Sequence, residues 1–108
     1  MYKVLLDENL PVKLRYRLQG TCDIYTVKEK GWNALENGGL INAMQAEGFD
    51  YLITSDKNLQ YQQNLEKYSI GIIILKAGDN TYESILPLVD KIKQLLGVSQ
   101  KVKLFVIS

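Results

Sequence analysis

A chain of 108 residues holds one hydrophobic core and not two, so a single domain over residues 1–108 is expected, and its 46% apolar and 23% charged content is globular rather than disordered. No apolar run approaches the ~20 residues of a membrane span, so no membrane partner is expected. A formal charge of +1 is not the basic footprint of an obligate nucleic-acid binder, and the lack of any histidine removes His general bases, Ser-His-Asp and Cys-His nucleophiles and histidine zinc sites.

The first element is a strand over Tyr2 to Leu6, apolar enough to be buried on both faces as parallel strands are. It ends in two adjacent carboxylates, Asp7 and Glu8, and a helix-start signal follows, with Asn9 as N-cap and Pro11 in the first turn. Leu10, Leu14 and Leu18 form that helix's buried stripe, and Gly20 ends it. Cys22 is the single cysteine, so no internal disulfide is possible, which suits a cytoplasmic location; it reads as a small buried residue.

Asp23 to Val27 is β-branched and aromatic and reads as a second strand. Residues 28 to 37 are irregular and lead into a helix from about Glu36 to Glu47, stopped by Gly48. Asp50 to Thr54 is the third strand, with Ser55 and Asp56 just beyond its carboxyl end. The polar segment from Lys57 to Tyr68 has the composition for one or two helical turns. Ile70 to Leu75 is nearly all Ile and reads as a buried central strand. Asn80 with Glu83 predicts a capping box for the last helix, which Pro87 should kink and Gly97 should end. Val102 to Ile107 makes the fifth strand. Lys101 and Lys103 read as the solvated face of an edge strand.

Strands and helices alternate throughout, the pattern of a mostly parallel α/β sheet covered on both faces, whose crevice lies at the carboxyl ends of the strands. Asp7 and Asp56 stand at such ends, and Glu36 starts the helix between them, so the three acids converge on one rim in this reading. Oxygen ligands without nitrogen or sulfur suit Mg²⁺ or Mn²⁺, and an unneutralised cluster of carboxylates would raise its own pKa values. A metal there would support attack of water on a phosphodiester with no histidine. Glu8 could join the ligands or cap the following helix. A strand-terminal Asp is also an ordinary turn former. Lys13, Arg15, Arg17 and Lys57 are the residues expected to hold phosphates, although the first three also suit the solvated side of an amphipathic helix.

Leu-Leu-Asp-Glu-Asn-Leu-Pro at 5–11, Gly31-Trp32, Glu36 and Leu-Ile-Thr-Ser-Asp-Lys at 52–57 closely resemble the small bacterial PIN-like domains, the branch described as predicted toxin-type nucleases. The resemblance covers nearly the whole chain. It implies a three-layer α/β/α sandwich with a five-stranded sheet in the order 3-2-1-4-5, and a Mg²⁺- or Mn²⁺-dependent ribonuclease. Asp7, Glu36 and Asp56 match the family's metal-binding and catalytic acids. The chain departs from the pattern at Asn58 and Leu59, where relatives often carry Asp and Phe, and around Glu36, where the neighbours are Asn37 and Gly38. Asn58 could still ligate through its amide oxygen. The partners expected are RNA, an antitoxin-type protein and a second copy of the chain. Two other readings use the same acids: a PIN-like module with a weak or inert site that binds protein or RNA, and a receiver-like domain with Asp56 as phosphoacceptor. Trp32 could stack on a nucleobase or pack over a helix. Tyr61 and Tyr68 could line a substrate groove or a partner contact.

Overall fold

The computed structural model describes residues 1–57, 68–98 and 100–108. Five strands, β1 (Lys3–Leu6), β2 (Asp23–Thr26), β3 (Tyr51–Thr54), β4 (Gly71–Leu75) and β5 (Leu104–Ile107), pair in parallel throughout in the order β2-β1-β3-β4-β5. The described helices are α1 (Leu14–Leu18), α2 (Asn37–Ala46), α3 (Tyr82–Ile85) and α4 (Val89–Leu96), with a 3-10 turn over Leu86–Leu88 joining the last two. Among the described residues, no helix is long and apolar enough to cross a membrane.

Side-chain alternation along the strands builds two cores, one on each face. Val4, Leu6, Tyr51, Ile53 and Ile73 pack with Leu14 and Leu18 of α1 and with Ile85, Ile92 and Leu96. Leu5, Leu52, Ile72 and Ile74 pack with Leu40, Ile41 and Met44 of α2. The result is the expected three-layer α/β/α arrangement, with β3 and β4 buried along their whole length.

The strand order corrects the expectation of 3-2-1-4-5. From β1 the chain steps to β2 through α1 on one face; from β2 it crosses back over β1 through α2 on the other, and β3 pairs with β1 rather than with β2. Right-handed connections stepping in opposite directions put their helices on opposite faces, which is the arrangement seen. The consequence for function is direct, because β1 and β3 become neighbours and the point where the chain reverses direction falls between them.

Local signals behaved unevenly. Pro87 interrupts the last helix with the 3-10 turn, as its missing N–H requires. The cap of α3 lies one residue later than the predicted Asn80 box: Thr81 Oγ1 accepts from the Ser84 N–H at 3.3 Å, and Asp79 Oδ1 accepts from the Thr81 N–H at 3.0 Å and from its hydroxyl at 2.6 Å. Those bonds, the Thr81 hydroxyl first, pull the Asp79 carboxyl from 3.8 down to about 2. A depressed folded value means the contribution is complete above the unfolded pKa and disappears as pH falls towards about 2. Asp79→Ala should therefore lower the melting temperature at pH 6 and leave it unchanged below pH 2, which thermal melts across that range would check.

The first helix is shorter than its apolar stripe predicts. Residues 11–16 form successive i→i+3 turns that lead into α1, with Leu14 N–H to Pro11 O at 3.1 Å and Arg15 N–H to Val12 O at 3.1 Å. Neither Asn9 nor Glu8 caps it: Lys13 holds the N-cap position without a side-chain bond, and the Asn9 amide reaches across to β3 instead. Of the two lysines expected on the solvated face of β5, Lys103 is exposed and Lys101 half-buried. They precede it and donate to the backbone carbonyls of Ser69 and Tyr68. The helical turns expected between Lys57 and Tyr68, with Asn58, Leu59 and Tyr61, lie outside the described residues.

Candidate active site at the ends of β1 and β3

The β1–β3 ladder runs one residue beyond β1, because the Asp7 N–H donates to Ile53 O at 2.9 Å. This fixes the Asp7 backbone beside the end of β3, where Thr54 is fully buried with a polar side chain. A buried hydroxyl needs partners, and Thr54 has three. It donates to Asp7 Oδ2 at 2.7 Å, and it accepts from the Asp56 N–H at 3.1 Å and the Asn9 Nδ2 at 3.4 Å. The other Asp7 oxygen, Oδ1, accepts from the Glu8 N–H at 2.9 Å. One hydroxyl therefore ties the acid after β1, the turn carrying the acid after β3, and the segment leading to α1.

Thr54 stands inside the Leu-Ile-Thr-Ser-Asp-Lys motif at 52–57, where residue type alone gives it no role. The available signal was a hydroxyl residue closing an otherwise apolar strand two positions before an acid. Thr54→Val keeps the shape but leaves Asp7 Oδ2 and the Asp56 N–H without their partner. It should cost about 1–3 kcal/mol of stability, whereas Thr54→Ser should recover most of it. Urea denaturation of the two variants side by side tests this, and equal stabilities would refute the role of the hydroxyl.

The other sequence candidates are distributed around this centre. Glu36 lies at the N-terminus of α2, which points to the same end of the sheet; its side chain is exposed and makes no capping bond, while its carbonyl accepts from the Leu40 N–H at 2.7 Å. Glu8 is exposed. Among the described residues, no three acidic or cysteine side chains gather into a group that could hold a metal ion; Thr54 ties the Asp7 carboxylate to the backbone of the turn that carries Asp56, and Glu36 has no bond to either.

The basic residues of α1 do not act as one group. Arg15 turns towards the end of β2, with Nη2 3.4 Å from Glu29 Oε1. Glu29 in turn accepts from the Thr26 N–H at 2.7 Å and donates its own N–H to Thr26 Oγ1 at 3.1 Å. Arg17 Nε donates to the Tyr82 hydroxyl at 2.7 Å, and Lys13 Nζ lies 6.0 Å from the centre of the same ring. Lys57, next to Asp56, is exposed. Beside Asp7 a pocket of about 130 Å³ is lined by Leu6, Leu10, Val12, Val27, Lys28 and Asn33 among others.

Trp32 packs partly buried against the core: its ring meets Phe49 edge-on at 5.8 Å, with Lys30 Nζ 5.2 Å from its centre. Tyr68 is half-buried against the α2 core. Cys22 is buried, and burial pushes its thiol up to about 11, so it stays protonated and behaves as the small core residue expected.

In comparisons with family models, curated proteins and solved structures, nothing matches this chain.

Proposed function

We propose that the chain is a divalent-cation-dependent ribonuclease of the PIN-like type that hydrolyses RNA phosphodiesters at the crevice between the ends of β1 and β3. The observation that carries this reading is the bond from the buried Thr54 hydroxyl to the Asp7 carboxylate, which ties that acid to the turn carrying Asp56 at the reversal point of the sheet.

The chemistry of the two acids fits Mg²⁺ or Mn²⁺, because carboxylates offer only hard oxygen. Such ions are commonly held by one or two carboxylates and keep several waters, so Asp7 and Asp56 would suffice, with Glu36 and Glu8 acting through water. When bound, the cation would supply charge to the phosphoryl oxygens and acidify water. The protein's own part is to hold Asp7 in one orientation through Thr54 and the Glu8 N–H, and to attract the RNA backbone with Lys13, Arg17 and Lys57. Arg15 would add to that field with its charge already balanced by Glu29. By the family resemblance, the protein would be the toxin of a toxin–antitoxin pair acting in the cytoplasm.

Millimolar Mn²⁺ should raise the melting temperature and allow cleavage of a single-stranded RNA, and EDTA should abolish both. RNA left intact with either Mg²⁺ or Mn²⁺ would overturn the reading, and the lack of any melting shift would favour an inert binding module instead. One observation favours a second reading. The order β2-β1-β3-β4-β5 is that of flavodoxin-like sheets, which receiver domains share, and there Asp56 would accept a phosphoryl group. Acid-labile phosphate incorporated from acetyl phosphate, and lost in Asp56→Asn, would establish that alternative.

A further inference from the structure

Among the described residues, exposed large apolar side chains concentrate at one place: Val98, and the consecutive Leu104, Phe105 and Val106 of β5. β5 closes the sheet on one side, and only its inner edge is bonded. The Ile72 N–H donates to Lys103 O at 3.0 Å and the Lys76 N–H to Ile107 O at 2.8 Å, so the backbone groups of residues 103, 105 and 107 turn towards β4. Those of Leu104 and Val106 consequently turn outward, where no further strand lies among the described residues.

Both faces of this edge are apolar. A groove of about 520 Å³ between β5 and α4 is lined by Leu95, Val98, Phe105 and Ile107, with Lys91 and Gln94 along it. On the other face Leu104 and Val106 are 37% and 42% exposed. Edges that stay unpaired are usually guarded by Lys or Pro, yet residues 104–108 contain neither, and the preceding Lys101 and Lys103 are turned onto the carbonyls of Ser69 and Tyr68. Such an edge is a template for an added strand, whose alternate side chains would cover the groove on one face and Leu104 and Val106 on the other.

Charge selects the occupant. Residues 91–108 contain four lysines and no Asp or Glu; Lys101 is balanced by Asp50 at 3.8 Å and Asp90 stands beside Lys91, which leaves this end positive, while residues 1–90 carry nine basic against twelve acidic residues, a net −3. A second copy of the chain would set two lysine-only segments side by side, within the ~8 Å over which charges act at physiological salt. We propose that the outer edge of β5 docks an extended, apolar segment of another protein flanked by Asp and Glu, adding it to the sheet through the backbone groups of Leu104 and Val106. This surface is separated from Asp7 by β3 and β4, and the inference does not depend on the nuclease reading.

The probe is the synthetic peptide Glu-Asp-Val-Thr-Ile-Thr-Val-Asp-Glu, blocked at both ends, compared with the version carrying Lys at each acid. Hydrogen exchange of the Leu104 and Val106 amides, followed by NMR, should be fast in the protein alone and slow at least about tenfold with the acidic peptide. The Lys peptide should bind about tenfold more weakly or worse, as should the acidic peptide to the exposed double variant Lys91→Glu/Lys93→Glu. Val106→Pro removes the outward donor without touching the bonds to β4 and should abolish the protection. Equal binding of the two peptides would overturn the proposal. So would a sedimenting dimer whose Leu104 and Val106 amides are already protected, or protection by a single-stranded RNA and not by the peptide.

Discussion

Replacing Asp7 with Asn should lower Mn²⁺-dependent RNA cleavage by at least about a hundredfold, since outer-shell partners of a metal site typically cost about 10–100-fold and a direct ligand costs no less. The substitution is not silent for the fold. Both Asp7 oxygens accept a bond, Oδ2 from Thr54 at 2.7 Å and Oδ1 from the Glu8 N–H at 2.9 Å. An amide offers one oxygen, so its NH₂ must face one of those two donors. Thr54 cannot turn round to accept, because its oxygen already receives the Asp56 N–H and the Asn9 amide. A stability loss of about 1–3 kcal/mol is therefore expected beside the loss of activity. Cleavage is to be measured well below the variant's melting temperature, with circular dichroism confirming the folded state. Unchanged cleavage by the folded variant would remove Asp7 from the site. Under the same conditions Glu36→Gln should lose less, since Glu36 is exposed at the start of α2.

Gly71→Ala should be the most damaging small substitution in the chain for stability. A Cβ at that position would lie 2.5 Å from Cε1 of Tyr51 and 2.5 Å from the Val102 carbonyl oxygen. Tyr51 is fully buried on the neighbouring strand, its ring meets Tyr2 edge-on at 5.2 Å, and its hydroxyl accepts from the Val102 N–H at 2.9 Å. The glycine at the start of β4 is what lets that ring cross the strand and hold the segment entering β5. Neither the core ring nor a backbone carbonyl can retreat easily. The cost should reach about 2–3 kcal/mol, the upper part of the range for overpacking. On a domain of this size that corresponds to a melting temperature lowered by roughly 10–20 °C. A second substitution, Tyr51→Leu, should restore only part of it, because the Val102 oxygen remains in the way. A melting temperature unchanged in Gly71→Ala would show that β4 and the Val102 segment can part without cost.

Much of the fold could be read from local pattern. Period-two and continuous apolar runs located all five strands within a residue or two: β3 and β4 are buried on both faces, which leaves no room for polar residues, and β2 and β5 carry β-branched and aromatic residues. Gly48 and Pro87 marked a stop and a break through backbone chemistry alone. Trp32 and Cys22 took their ordinary packed places. Where a signal depended on competition between partners, pattern was a poorer guide. Asn9 is a good N-cap by residue type, but the buried Thr54 hydroxyl offers its amide a partner across the sheet, and α1 begins later without a side-chain cap.

What the sequence by itself determined is that a strand ends at Asp7, another ends just before Asp56, and helices alternate with strands to cover both faces. Those properties follow from the chemistry of a few consecutive residues. Which strands are neighbours was decided by the tertiary structure, because it depends on the direction in which each crossover steps and on which face its helix finds apolar surface. That choice brought β3 beside β1 instead of beyond β2, made Thr54 the link between Asp7 and the turn carrying Asp56, and turned Leu104 and Val106 to an open edge. Hydrogen bonds between residues forty-seven positions apart, such as Thr54 to Asp7, have no local signature, since nothing in either segment records which other segment will pack against it.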